Sequence, residues 1–411
     1  MILHSFEQVW RCYLISFALK HTIMKVARFS LIFFPLVIFI SLLKAQTIPF
    51  DDKRWSIEAH GSLLEGFKGK NALYLQDGKA WLKNESFLNG IIEFDIYLFE
   101  RVSFSGLVFR GVDKKNYEEL YLRSHLSGYP DAFQYSPVFN GDAGWQLYHD
   151  QFDGVNNGLV SWKPKGELNG YNAVAFYPFD RWLHVKLLVK GKQGELYFDN
   201  NERPVAFIPE LKRGEQPGSL GVESGIGAVY FADFSYQKTD DIKFKTSQPV
   251  VPVKFSSGVI TTWKISNSFK EDELKRNELE EKFMRQFQWQ SLAAEKGDFI
   301  NISKLFAVTD SNTVFAKLPL QSDKAQIKKL DLGYSDRVKV YCNGQAMYSG
   351  NSGFRARDFR HLGTIGYCDA VYLPLKKGEN EIIIAVSETF GGWALMGKLE
   401  NLEGIRVIED K

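Results

Sequence analysis

Glu93 and Asp95, two residues apart in the alternating segment IIEFDIYL, are spaced for acid–base chemistry. Side chains at i and i+2 of a strand share a face. A retaining glycosidase needs two carboxyl groups about 5–5.5 Å apart and an inverting one about 6.5–9.5 Å. The alternation puts Ile92, Phe94, Ile96 and Leu98 on the other face, so Glu93 and Asp95 can equally be solvated residues of an outer surface. A second set, of mixed polar and aromatic character, suits sugar recognition: Arg110, Tyr121, Arg123, His125, Gln134, Tyr135, Asn140, Trp145, Gln146, Tyr148 and His149. Flat rings pack against sugar C–H bonds, while planar amides and guanidinium groups make paired hydrogen bonds to hydroxyls. Tyr121, Arg123 and His125 alternate onto one strand face, and Arg110 comes one strand earlier. The alternative is a buried polar network tying two sheets together. Trp162, Trp182 and Tyr177 read as core or rim.

Other chemistry is sparsely supported. Asp142, Asp150 and Asp153 could form a calcium loop, but their spacing matches no calcium signature. His60, His125, His149, His184 and His361 are scattered, with no CxxC or HxxxH, so no zinc site and no cofactor is expected. Cys342 and Cys368 either form a disulfide or remain two buried thiols. Arg355, Arg357, Asp358, Arg360 and His361 in GFRARDFRH read as a solvated or interdomain loop, with an anion or uronate site as the alternative. In FGGW, paired glycines suit a tight turn with a packed Trp393.

The elements that must position these residues are strands. With 45% hydrophobic residues, 15% aromatic and only 13 Pro in 411 residues, the chain is neither disordered nor collagen-like. Its length suits two globular domains, each with its own core. Short alternating runs separated by Gly, Asn and Asp fill residues 46–240, the pattern of an all-β sandwich. Residues 241–255 read as a polar, proline-bearing linker. Residues 256–411 return to alternation, with Asn343-Gly344 as a hairpin signal, and form a second sandwich. Residues 270–296 carry the only strong helix signal, with Leu274, Leu279, Phe283, Met284 and Phe287 on a rough 3.6 period. This helix would lie across the sandwich or dock a partner.

Met24 opens a secretory-type leader: Lys25 and Arg28 precede an apolar run at 29–43, with cleavage expected after Ala45. Fifteen apolar residues interrupted by a proline are short for a bilayer span, so a secreted or periplasmic protein without a stable membrane anchor is expected. Residues 1–23 lie upstream of the leader or extend it. Removing residues 1–45 leaves 46 basic and 48 acidic residues. That balance offers no electrostatic footprint for nucleic acid.

Residues 89–148, with WLHVKLLVKGKQGELYFDN and VYFADFSY, resemble concanavalin A-like lectin/glucanase domains over residues 50–240. The resemblance implies a jelly roll of two antiparallel sheets whose concave face holds a carbohydrate. The Glu93–Asp95 strand is similar to the E-x-D-x-x-E strand of laminarinase-like members. It departs from that strand where the second glutamate would stand, because Tyr97 or Leu98 occupies the place and Glu100 comes too late. The second half, from Trp263 through LPLKKGENEIIIAV to FGGW, is similar to galactose-binding-like jelly rolls appended to secreted glycoside hydrolases. The expectation is a carbohydrate-binding protein. The alternatives are a glycoside hydrolase, using Glu93 and Asp95 or acids among Glu118, Glu119, Asp131 and Asp142, and a protein-interaction module.

Overall fold

The computed structural model describes residues 45–408, apart from Pro130 and residues 150–170, 247–251 and 275–276. The leader at 1–44, Asp150, Asp153, Trp162 and the centre of the linker lie outside the described residues. No described helix is long and apolar enough to cross a membrane.

The chain is all-β, with two sandwiches. In the first, Gly90–Tyr97 buries Ile92, Phe94 and Ile96 as its alternation predicts. It pairs antiparallel with Leu183–Lys190 on one side and with the second half of Gly218–Lys238 on the other. The first half of Gly218–Lys238 pairs instead with Phe104–Asp113, which continues through Asn116–Arg123 to Phe133–Phe139. Lys70–Phe87 accompanies Gly218–Lys238 along most of this length. Both long strands therefore serve both layers. The ladder breaks register between Ser224 and Ala228, where Gly227 has φ +79°. On the partner strand a Cβ at Gly78 would lie 2.2 Å from the Ala59 Cα, so only glycine fits there. Leu107, Phe109, Leu120, Leu122 and Phe133 of one layer meet Phe94, Ile96, Val185, Leu196 and Phe231 of the other in one core.

The second sandwich packs a sheet built from Thr262–Ser266, Trp289–Ala293, Thr313–Ser322, Arg337–Cys342, Gln345–Asn351 and Gly378–Ser387 against one of Phe299–Asn301, Gln326–Ser335, Asp369–Leu375 and Ala394–Leu399. Asn343 and Gly344 both take positive φ, +50° and +84°, and close the expected hairpin. The one α-helix among the described residues falls inside 270–296 but covers only Glu281–Met284, with a 3-10 turn at Glu271–Leu274 before it and the strand Trp289–Ala293 after it. Sheet pairing displaces the longer helix. The Leu279 N–H donates to the Gly344 carbonyl, and Leu274, Leu279, Phe283, Met284 and Phe287 cover Phe315, Tyr341 and Ile383 on the outer face of the sheet. The apolar stripe packs on this sheet, with Phe287 buried and Leu274, Leu279, Phe283 and Met284 half-buried.

Cys342 and Cys368 are free thiols. Cys342 touches the Pro374 carbonyl, near the end of Asp369–Leu375, whereas Cys368 precedes the start of that strand. Six residues of strand, about 20 Å, keep them apart.

The two sandwiches belong to one compact unit. Gln146, fully buried, is the pin between them: its N–H donates to the Gly391 carbonyl (3.0 Å), its carbonyl accepts from Ile365 N–H (3.1 Å), its Nε2 donates to the Leu362 carbonyl (2.7 Å), and Ser335 Oγ donates to its Oε1 (3.1 Å). FGGW is the socket. Gly391 and Gly392 sit at φ +108° and +137°, a Cβ on Gly391 would stand 2.4 Å from the Gln146 side chain, and Trp393 is buried with its indole N–H on the Val386 carbonyl. Asn140 Nδ2 donates to the Ser303 carbonyl (2.8 Å), and Asn301 Nδ2 donates to the Tyr148 hydroxyl (3.1 Å). Asp142 accepts from Ser303 Oγ and from Trp393 N–H. Replacing Gln146 with Leu would strand the Leu362 carbonyl and leave the Ser335 hydroxyl only its long contact to Asp336 Oδ1 (3.4 Å), at a cost of roughly 1–3 kcal/mol. The Gln146→Leu protein should therefore show a lowered urea midpoint, and an unchanged midpoint would refute this joint.

Candidate functional site

The strand Asn116–Arg123 turns Glu118, Leu120 and Leu122 inward, which sends Tyr117, Glu119, Tyr121 and Arg123 to the face away from the inter-sheet core. Pairing register assembles the rest of that face. Gln134 lies opposite Tyr121 and Ser136 opposite Glu119. Gly106 stands between Tyr121 and Glu223, and Glu223 faces Lys79. The turn after Ala143 folds back over this surface, where Gln134 Nε2 donates to the carbonyls of Trp145 (2.8 Å) and Tyr148 (3.3 Å).

One end of the face is a guanidinium network. Arg123 pairs with the Asp131 carboxylate and donates to the Asp131 carbonyl (3.0 Å), the Tyr121 hydroxyl (3.1 Å) and Gln134 Oε1. Asn172 Nδ2 bonds Asp131 and lies 3.1 Å from His149 Nδ1. Burial pulls the His149 pKa down to about 4, so the ring is neutral near pH 7 and Nδ1 can accept from the amide. Trp145 Nε1, Asn172 Oδ1 and Ser136 Oγ are buried without a protein partner. Buried polar atoms without a partner are rare in folded proteins, and each one calls for a strained, watered or functional role.

The other end is acidic. The Glu119 and Glu223 carboxyls are in hydrogen-bonding contact, and Lys79 forms an ion pair with Glu223. Burial, then the Glu223 charge, holds Glu119 well above the usual carboxylate range. Glu119 thus keeps a proton beside a charged neighbour. Trp81 packs edge-on to Tyr117 at 5.3 Å and borders the pair.

Of the residues expected from sequence, Tyr121, Arg123, Gln134 and Trp145 come together here, with His125 exposed at the rim, 5.2 Å from the Phe104 ring. Arg110 does not join them. A register break after Phe109 and φ +50° turn its side chain to the loop carbonyls of Leu88, Gly191 and Gly214. Tyr135 faces the core, where its hydroxyl donates to Glu118 (2.6 Å), an acid that burial pushes up to about 7. Alternation itself separates Tyr135 from Gln134. Asn140, Gln146 and Tyr148 hold the second sandwich instead of lining this face. Tyr177 is core, and Trp182 lies on the outer face of the other layer, packed on Tyr97 and Phe67. In the basic loop Arg357 pairs with Asp369, Arg360 pairs with Asp358, and His361 is buried with Nε2 3.1 Å from the Ser352 carbonyl. Glu223 and Lys79 escaped sequence reasoning, because only the pairing of strands far apart in the chain brings them to Glu119.

Glu93 and Asp95 lie on the outer face of the opposite layer, bracketing His184. Its Nδ1 is 2.6 Å from Asp95 and its Nε2 is 3.7 Å from Glu93, and Lys70 pairs with both Asp95 and Asp233. The hydrogen bond to Asp95, then that to Glu93, raises the His184 pKa to about 9. On Asp95 burial pushes upward, but His184 and Lys70 outweigh it and hold the carboxyl below its ordinary range. Both acids are thus engaged by cations and lack the raised pKa of a general acid. The His184 ion pairs stabilise the fold fully below pH about 6.5, and that contribution is lost as pH rises through about 9. Its imidazole should titrate near pH 9 by NMR in the folded protein and move toward the ordinary histidine value in Asp95→Asn. A midpoint near 6.5 in the unaltered protein would contradict the bracket.

No family model matches the chain, and no curated protein matches it. Among solved structures, it is similar to the carbohydrate binding module CBM66 from Bacillus subtilis, at 14% identity over 45% of this chain and 96% of the module, with TM-score 0.32. It is also similar to a Bacillus licheniformis beta-glucanase (9% identity, 47% of this chain, 98% of the enzyme, TM-score 0.32). A third is a beta-1,3-1,4-glucanase derived from a mouse hindgut metagenome (11% identity, 47% and 98% covered, TM-score 0.32). Such values assign neither a ligand nor catalytic residues to this chain.

Proposed function

We propose that the protein binds a carbohydrate on the face of the first sandwich formed by Tyr121, Arg123, Gln134, Asn172 and Trp145. The observation that carries this reading is the half-buried Trp145 indole, held over a buried guanidinium and amide network already fixed by its own hydrogen bonds, with Trp145 Nε1, Asn172 Oδ1 and Ser136 Oγ left unpaired beneath the surface. A pre-ordered donor and acceptor array with an indole beside it matches a pyranose, which offers hydroxyls at its edge and C–H bonds on its face. The resemblance of residues 50–240 to concanavalin A-like domains supports the same reading, and that of the second half to galactose-binding-like jelly rolls is consistent with it. The leader-like segment before Gln46 supports action outside the cytoplasm.

One observation favours hydrolysis as a second reading. Glu119 carries a proton next to Glu223 on this face, which supplies an acid and a charged carboxylate in one place. Their direct contact is closer than the roughly 5 Å that a retaining mechanism uses, so catalysis would need a substrate that parts them. Simple binding needs no such movement and is the reading we favour.

A polysaccharide panel, scored for binding and for released reducing ends, tests both. Binding without product, weakened about tenfold or more by Trp145→Ala, is expected. Product that disappears in Glu119→Gln would replace the binding reading with the hydrolase. Failure to bind any glycan would remove both.

A further inference from the structure

Trp145 stands where the two sandwiches meet, and its neighbours on the far side belong to the second. The Phe390 ring lies 5.7 Å away at 53°, and the Phe354 ring lies 6.2 Å away at 75°. Both are largely open to solvent, Phe354 at 44% and Phe390 at 58%. Neither belongs to a buried core cluster of its own sandwich. Large apolar side chains on two separate loops, both exposed and both against the same indole, have no stabilising role that solvent exposure would not diminish.

The loops that carry them are nevertheless held firmly. Phe390 N–H and Thr389 N–H both donate to Asp336 Oδ2, at 3.3 and 2.9 Å, and the next residue, Gly391, accepts from Gln146 N–H. Arg355 N–H, just after Phe354, donates to the carbonyl of buried His361 (2.8 Å). The Arg355 guanidinium lies over the Phe354 ring at 4.9 Å. The Trp145 backbone is tied to the polar network of the first sandwich, since Gln134 Nε2 donates to its carbonyl (2.8 Å).

We infer that the carbohydrate site is composite. Phe354 and Phe390 continue the Trp145 platform onto the second sandwich, and the ligand is an extended polysaccharide chain that crosses the seam, not a mono- or disaccharide confined to the first. This rests on the carbohydrate-binding reading above. It gives the second sandwich a direct part in recognition and makes the rigid joint at Gln146 a condition of affinity. Stacking surfaces act additively along a chain only if their spacing is fixed.

The test uses the full-length protein and its Phe354→Ala, Phe390→Ala and doubly substituted variants, all at exposed positions. Affinity is measured by calorimetry for soluble polysaccharides, among them mixed-linkage β-glucan, xyloglucan and levan, and for the disaccharide and hexasaccharide of each polymer that binds. The double variant should lose about tenfold or more in affinity for polymer and hexasaccharide, with disaccharide affinity unchanged. Trp145→Ala should weaken all three. Polymer affinity unaltered by the double variant, while Trp145→Ala still weakens it, would overturn the composite site and leave the first-sandwich site standing. Wild-type protein that binds no polymer overturns both.

Discussion

Two strands shared between layers govern the architecture. Gly218–Lys238 and Lys70–Phe87 are the longest strands among the described residues, and they pair with each other across most of both sheets. Because strand side chains alternate, a slip of one residue along this pair would exchange the core and outer faces of both layers together. The glycine-lined break near Ser224 lets one strand turn between layers without losing that phase. The placement of Glu223 beside Lys79 and near Glu119 is therefore a by-product of the register that builds the core.

Much of this was open to reading from local pattern. The alternation of IIEFDIYL placed Ile92, Phe94 and Ile96 inside, and Asn343-Gly344 marked its hairpin. The same rule, applied more strictly, divides Gln134 from Tyr135. Arg110 was not legible, because a register break turns it, and such a break leaves no composition signal. Asn140, Gln146 and Tyr148 misled for a different reason: a residue that joins two sandwiches has the polarity and aromaticity of a ligand-binding residue until its partners are known. The segment 270–296 has helical periodicity, yet its apolar residues meet a sheet face that a short turn and an edge strand cover as well, so tertiary context overrides propensity.

Electrostatics differ on the two sides of the seam. On the Tyr121 face of the first sandwich, acids and bases are matched in ion pairs, Arg123 with Asp131 and Lys79 with Glu223. At the joint, Asp142, Asp336 and Glu388 approach one another, and burial shifts all three upward, Glu388 most strongly with Asp336 and Asp142 adding to the effect. Glu388 is fully buried, and the backbone N–H groups of Phe390 and Gly392 near its carboxyl offset burial only in part. A proton on Glu388 relieves what would otherwise be an under-compensated interior charge. With its folded pKa above the unfolded one, the contribution is complete at acid pH and declines as pH rises.

The hydrophobic cluster of the first sandwich includes Phe299, Ala394 and Met396 from the second. A boundary drawn through the linker therefore does not coincide with a boundary in the packing. Severing the chain between the sandwiches would leave them associated, as a nicked protein held by its own interior. Nor could the C-terminal half be exchanged between lineages as a cassette, since it would arrive without the surface that covers Phe299 and the residue, Gln146, that fills its glycine socket. A substitution on either side of the joint is constrained by its fit to the other.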